Sequence, residues 1–92
     1  MKIYIAGKMT GLPNYHERFN QVEAELKKHG HAVMNPAIMT DGFAYEDYMK
    51  VCFSMIDVCD MIYLMDNWID SPGATREKVY AETNKKLVYC EG

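Results

Sequence analysis

The residues best placed by type and spacing to do chemistry lie in Ser71-Pro72-Gly73-Ala74-Thr75-Arg76-Glu77. This stretch follows the mostly apolar run Asp60-Met61-Ile62-Tyr63-Leu64-Met65 and opens a helical pattern that continues through Lys78-Val79-Tyr80-Ala81-Glu82. Ser71 is a favourable N-cap, Pro72 suits the first helical position, and Glu77 falls just beyond the opening turn. A strand, a small-residue turn and a helix start together make an anion site, because free backbone N–H groups and the positive end of the helix dipole point outward there. An acid held beside such a site is a candidate catalyst. On local pattern alone the same residues also read as a capped helix carrying one exposed Glu.

Other reactive side chains suggest less. His16, His29 and His31 form no metal-ligand spacing, and His29 and His31 should diverge across Gly30. Cys52, Cys59 and Cys90 are odd in number and lack such a spacing too, so no metal and no organic cofactor is expected. Free thiols fit a reducing cytoplasm, and Cys52 and Cys59 read as buried packing on one helix. Asp41, Glu46 and Asp47 read as loop and helix-start solvation. Asn35 reads as a turn former near the binding edge, and the aromatic stretch from Phe43 to Tyr48 fits either a base pocket or a subunit interface.

The chain that must position these groups has 92 residues, 49% of them hydrophobic and 25% charged, so one domain over 1–92 with a modest core is expected. A net charge of −3, with Lys and Arg dispersed, excludes the electrostatic footprint of a nucleic-acid-polymer binder. No apolar run reaches the length of a membrane span, and the apolar N-terminal run is too short for a signal-peptide core. Apolar runs predict strands over residues 2–6, 31–34, 61–65 and 86–90. The third is almost uninterrupted, as suits a strand covered on both faces. Helical spacing of Phe19, Val22 and Leu26, with Gly30 as a stop, predicts a helix over 15–29. Tyr48, Val51, Cys52, Met55, Ile56 and Cys59 predict another over 45–58, and the Ser71-capped pattern a third over 73–84.

Strands alternating with helices imply right-handed parallel βαβ units. The expected fold is an α/β three-layer sandwich around a parallel four-stranded sheet of order 2-1-3-4. Ligands of such sheets bind at the strands' carboxyl ends, at the switch point. That edge carries two loops, 7–14 and 66–71, so two distant parts of the sequence converge on one candidate site.

Three pieces of the chain resemble the nucleoside 2-deoxyribosyltransferase superfamily, particularly its short phage and bacterial members. They are Lys2-Ile3-Tyr4-Ile5-Ala6-Gly7 followed by Met9 and Gly11, Cys59-Asp60-Met61-Ile62-Tyr63-Leu64 leading to Trp68, and Ser71 through Glu77 with Ala81. The resemblance implies a flavodoxin-like sheet and cleavage of the N-glycosidic bond of deoxynucleosides or their 5′-monophosphates, with transfer of the sugar to another base or to water. It places Glu77 at the nucleophile position and Tyr4 where it would orient that carboxylate. Breaking a C1′–N bond develops positive charge on the sugar, which a carboxylate stabilises or captures.

Gly7 and Gly73 would let backbone approach the ligand, and Met9 and Trp68 would wall the base. Ser71, where some members carry Asp, matches members acting on 5′-monophosphates. Its hydroxyl, the amides around Ala74 and the Lys8 charge would suit phosphate, which a carboxylate would repel. One departure is Cys52, where many relatives carry an Asp that handles the leaving base; a thiol is a poor substitute, and Asp47 and Asp57 are offset from that position. Some relatives complete the site from a neighbouring subunit, which implies a homodimer or larger homo-oligomer here. The expected ligand is a small-molecule nucleoside or nucleotide. The alternatives are a nucleotide-binding module without turnover and a partner-binding protein that kept the fold.

Overall fold

The computed structural model describes residues 1–92. Its central strand is β1 (Lys2–Ala6), which pairs in parallel with β2 (Ala32–Met34) on one side and β3 (Met61–Leu64) on the other. β3 in turn pairs in parallel with β4 (Leu87–Cys90), giving the expected order β2-β1-β3-β4. The helices are α1 (Tyr15–Lys28), α2 (Tyr45–Asp57) and α3 (Pro72–Thr83), and two short 3-10 turns cover Pro36–Ile38 and Trp68–Asp70.

Alternation along β1 sets the three layers. Tyr4 and Ala6 face α2 and α3, and pack with Cys52, Ile56, Ile62, Leu64, Ala74 and Ala81. Ile5 faces α1, and packs with Phe19, Val22, Ala37 and Met65. Fully burying a side chain such as Ile5, Ile62 or Leu64, each 0% exposed, contributes about 1.5–3 kcal/mol. The covering of β3 is less complete than its apolar run suggests. Ile62 and Leu64 are buried, but Met61 and Tyr63 are half-exposed, because α1 lies over β1 and β2 rather than over β3.

Local chemistry ends each helix. Gly30, at φ +87°, closes α1: its N–H donates to the Lys27 carbonyl and the His31 N–H to the Leu26 carbonyl. α3 closes through the same pair of bonds, Lys85 to Glu82 and Lys86 to Ala81, but with Lys85 at φ 60° where glycine is favoured. Asn35 starts the first 3-10 turn. Its Oδ1 accepts from the Ala37 N–H, and its Nδ2 donates to Asn20 and Glu23 on α1. This turn swings the chain across the carboxyl end of the sheet before α2 begins. No helix is long and apolar enough to cross a membrane.

Candidate active site

β1 is the switch point: the chain leaves it towards β2 on one side and meets β3 on the other. The connections there separate, and a cavity of about 700 Å³ opens between them. Three stretches of chain wall it. The loop after β1 brings Gly7, Lys8, Met9 and Thr10, and the start of α3 brings Ser71, Gly73, Ala74, Arg76 and Glu77. The third wall, from the turn after β2 through α2, brings Met39, Thr40, Asp41, Tyr45, Tyr48, Met49 and Cys52.

Glu77 reaches this cavity from the second turn of α3, yet it is only 6% exposed. The local reading of an exposed helix-start acid is therefore not what the chain builds. Tyr4, fully buried behind it, donates its hydroxyl hydrogen to Glu77 Oε2 at 2.6 Å. The two residues are 73 positions apart, and only the pairing of β1 beside β3 and the packing of α3 on that face join them.

Burial disfavours the charged carboxylate and pushes Glu77 up from 4.5 to about 7, against the pull of hydrogen bonds from Tyr4 and the Cys52 thiol and of the Arg76 charge. Burial, then the Glu77 charge, pushes the Cys52 thiol up from 9.0 to about 12, so it stays protonated beside the carboxylate. Tyr4 is likewise held well above its ordinary value, by burial first and then by Glu77. At neutral pH this buried trio thus holds one ionisable charge, on Glu77, which is poised between its two forms.

The helix start is less open to anions than its sequence implies. Ser71 caps α3 as expected, its Oγ accepting from the Ala74 N–H at 3.1 Å. The Thr75 N–H donates to the Ser71 carbonyl, and Pro72 has no N–H. Of the first-turn amides, only that of Gly73 is without a protein partner. The Ser71 hydroxyl hydrogen and the Gly73 amide are therefore the donors that an anion would meet here, and Ala74 offers none. A Cβ at Gly73 would stand at ordinary contact distance, 3.4 Å, from the Tyr45 hydroxyl. Arg76 is engaged in a two-pronged pair with Glu46, at 2.8 and 3.1 Å, and stacks over the rings of Tyr45 and Phe53. It fastens the starts of α2 and α3 together.

The remaining sequence candidates separate. Lys8 and Met9 line the cavity, and the Lys8 N–H donates to Asn67 Oδ1 at 3.0 Å, which ties the two expected loops together. Gly7 also lines it, and a Cβ there would meet Met65 Sδ at 2.8 Å, so the glycine is demanded by packing against β3's end. Trp68 is not on the cavity wall. It packs against the core under α3, with the Lys78 ammonium 5.5 Å from its ring centre. The 66–71 loop contributes only Asp70 and Ser71.

Sequence reasoning gave the third wall too little weight. Asn35, the Phe43–Tyr48 aromatics and the Cys52 position are its signals in the sequence. Tyr45 and Tyr48 do reach the cavity, whereas Phe43 is exposed and packs edge-on against Tyr48. Tyr48 fixes this wall by donating to the Thr40 carbonyl and accepting from the Phe43 N–H. His16 stacks on Tyr15 and His29 pairs with Glu25, both away from the cavity. No group of three or more His, Cys, Asp and Glu side chains stands close enough to hold a metal ion.

Comparison with known proteins follows the same lines. Residues 1–90 match the family model described as a domain of unknown function, DUF4406. No curated protein matches the chain. Among solved structures, the 2-desoxiribosyltransferase from Leishmania mexicana superposes with a TM-score of 0.78 over 97% of this chain at 23% identity. The chain spans 62% of that protein's length. The likeness establishes a shared fold, the flavodoxin-like one that the sequence resemblance implied.

Proposed function

The chain belongs to the DUF4406 family, and we propose that it is a nucleoside 2-deoxyribosyltransferase-like N-glycosidase with Glu77 as its nucleophile. The observation that carries this reading is the buried Tyr4–Glu77 pair, 2.6 Å apart, at the wall of a cavity of mononucleotide size. In its ionised form the Glu77 carboxylate attacks C1′ of the sugar as the C1′–N bond breaks, and the bonding electrons leave with the base. Tyr4 holds one carboxylate oxygen in place and stabilises its charge. Water, or a second base, then displaces the ester and restores the carboxylate. The Ser71 hydroxyl and the Gly73 amide, with Lys8 nearby, would hold a 5′-phosphate. Tyr45, Tyr48 and the methionine walls would face the base.

The whole of 1–92 serves as the catalytic domain, and in this reading it works as a homo-oligomer in the reducing cytoplasm, its three cysteines free. The test is release of free base from deoxynucleosides, ribonucleosides, their 5′-monophosphates and nicotinamide nucleotides, by wild type and by Glu77→Ala. The expected result is release by the wild type that Glu77→Ala lowers by at least about a thousandfold. Release from none of these compounds overturns the enzyme reading. Saturable nucleotide binding by calorimetry with no product would put a binding module in its place, a reading that Cys52 in the wall favours.

A further inference from the structure

Beside Glu77, the wall proposed to face the base holds no buried acid. Cleaving a neutral nucleoside leaves a base with an extra electron pair, which must be protonated as it departs, and such general-acid assistance contributes about 10²–10⁴-fold to a rate. Three of the hydroxyl and thiol groups in and behind this wall are committed elsewhere. Tyr4 donates to Glu77, Tyr48 donates to the Thr40 carbonyl, and Cys52 stays protonated against Glu77 with its thiol pushed up to about 12. Glu77 is the only buried acid in the lining, and its carboxylate is committed to C1′.

The rest of the wall favours a cation. Met9, Met39 and Met49, with polarisable thioethers, and the aromatic side chains of Tyr15 and Tyr48 line it. Asp41 and Asp70, both exposed, add carboxylates to the lining, while the nearby Arg76 is paired with Glu46.

From this juxtaposition, and resting on the N-glycosidase reading above, we infer that the substrate is a nucleotide whose base is already cationic: a ring-alkylated purine or an N-pyridinium glycoside. The balance then closes without an acid. Glu77 forms a bond to C1′, the C1′–N bond breaks, and its electron pair cancels the positive charge on the ring nitrogen. The base leaves neutral. Water then attacks C1′, the ester bond breaks back to the carboxylate, and the proton from water goes to solvent.

The test compares 7-methylguanosine 5′-monophosphate and nicotinamide mononucleotide with guanosine 5′-monophosphate, and the first and last also in their 2′-deoxy forms. Each enzymatic rate is divided by that compound's own spontaneous rate, and Glu77→Gln serves as the blank. This division removes the greater intrinsic lability of cationic glycosides. The acceleration is expected to be at least a hundredfold larger for the cationic compounds. Equal acceleration, or a larger one for the neutral compounds, overturns this inference and leaves the N-glycosidase reading standing. Acceleration of none of them overturns this inference, and release of base from none of the wider set of compounds named above overturns the N-glycosidase reading with it.

Discussion

At the scale of single residues, the molecule spends stability to keep Glu77 where it is. A rise from 4.5 to about 7 corresponds to about 3 kcal/mol between the two protonation states. Because the folded-state value is raised, this group's contribution to stability is full below about pH 4.5 and is lost as pH rises through about 7. Glu77→Gln removes the titration and retains an acceptor for Tyr4. It is expected to be more stable than wild type by about 3 kcal/mol at pH 8, with the difference vanishing below about pH 4.5, as read from urea midpoints across pH. In the proposed mechanism base release needs the ionised form, so its rate should climb as pH passes through about 7. Tyr4→Phe removes a donor that favours the charged carboxylate. The midpoint of that climb should therefore move upward and the plateau rate fall about tenfold or more. An unmoved midpoint would mean that Tyr4 is packing and nothing else.

At the scale of elements, the start and end of α3 differ in how well the sequence serves them. Its start is well served: Ser71 supplies the cap and Pro72 the dihedral. These were legible in the sequence, because capping acts over three or four residues. Its end is strained by comparison. Lys85 occupies the left-handed region that its Cβ disfavours by about 1–2 kcal/mol. Lys85→Gly should raise stability by about 0.5–1 kcal/mol after the greater freedom of glycine in the unfolded chain is subtracted, a shift that thermal unfolding would register. A loss of stability instead would show that the Lys85 side chain makes a contribution larger than its strain. The expected boundaries of all seven elements fall within one residue of the observed ones, since Gly, Pro, Asn or Asp stands at or near most of their ends. The two 3-10 turns are too brief to leave a periodic pattern in the sequence.

At the scale of the whole molecule, the carboxyl edge of the sheet is held together by side chains far apart in sequence. Glu91, just beyond β4, accepts from Arg18 of α1, from the Tyr63 hydroxyl of β3 at 2.6 Å, and from the Asp66 N–H of the loop after β3. Burial works against its charge, but the hydrogen bonds from Tyr63, Arg18 and Asp66 prevail and hold it below the usual carboxylate value. A lowered value means a contribution present above about pH 4.5 and lost as pH falls through the folded-state value. Glu91→Ala should cost about 2 kcal/mol at pH 7, and the difference from wild type should shrink in acid. A cost that does not depend on pH would assign the effect to packing rather than charge. The sequence by itself determined the strands, the helices, the sheet order and the acid at the mouth of α3. Those features follow from hydrophobic period, from residues that break it, and from the handedness of βαβ crossovers, all of which act locally or by rule. Only the tertiary structure decided that Glu77 is buried rather than exposed, that Trp68 packs against the core instead of lining the cavity, and that the stretch from Met39 to Cys52 walls it. Burial and hydrogen bonding are properties of the surroundings that distant segments make for one another, and spacing along the chain does not encode them.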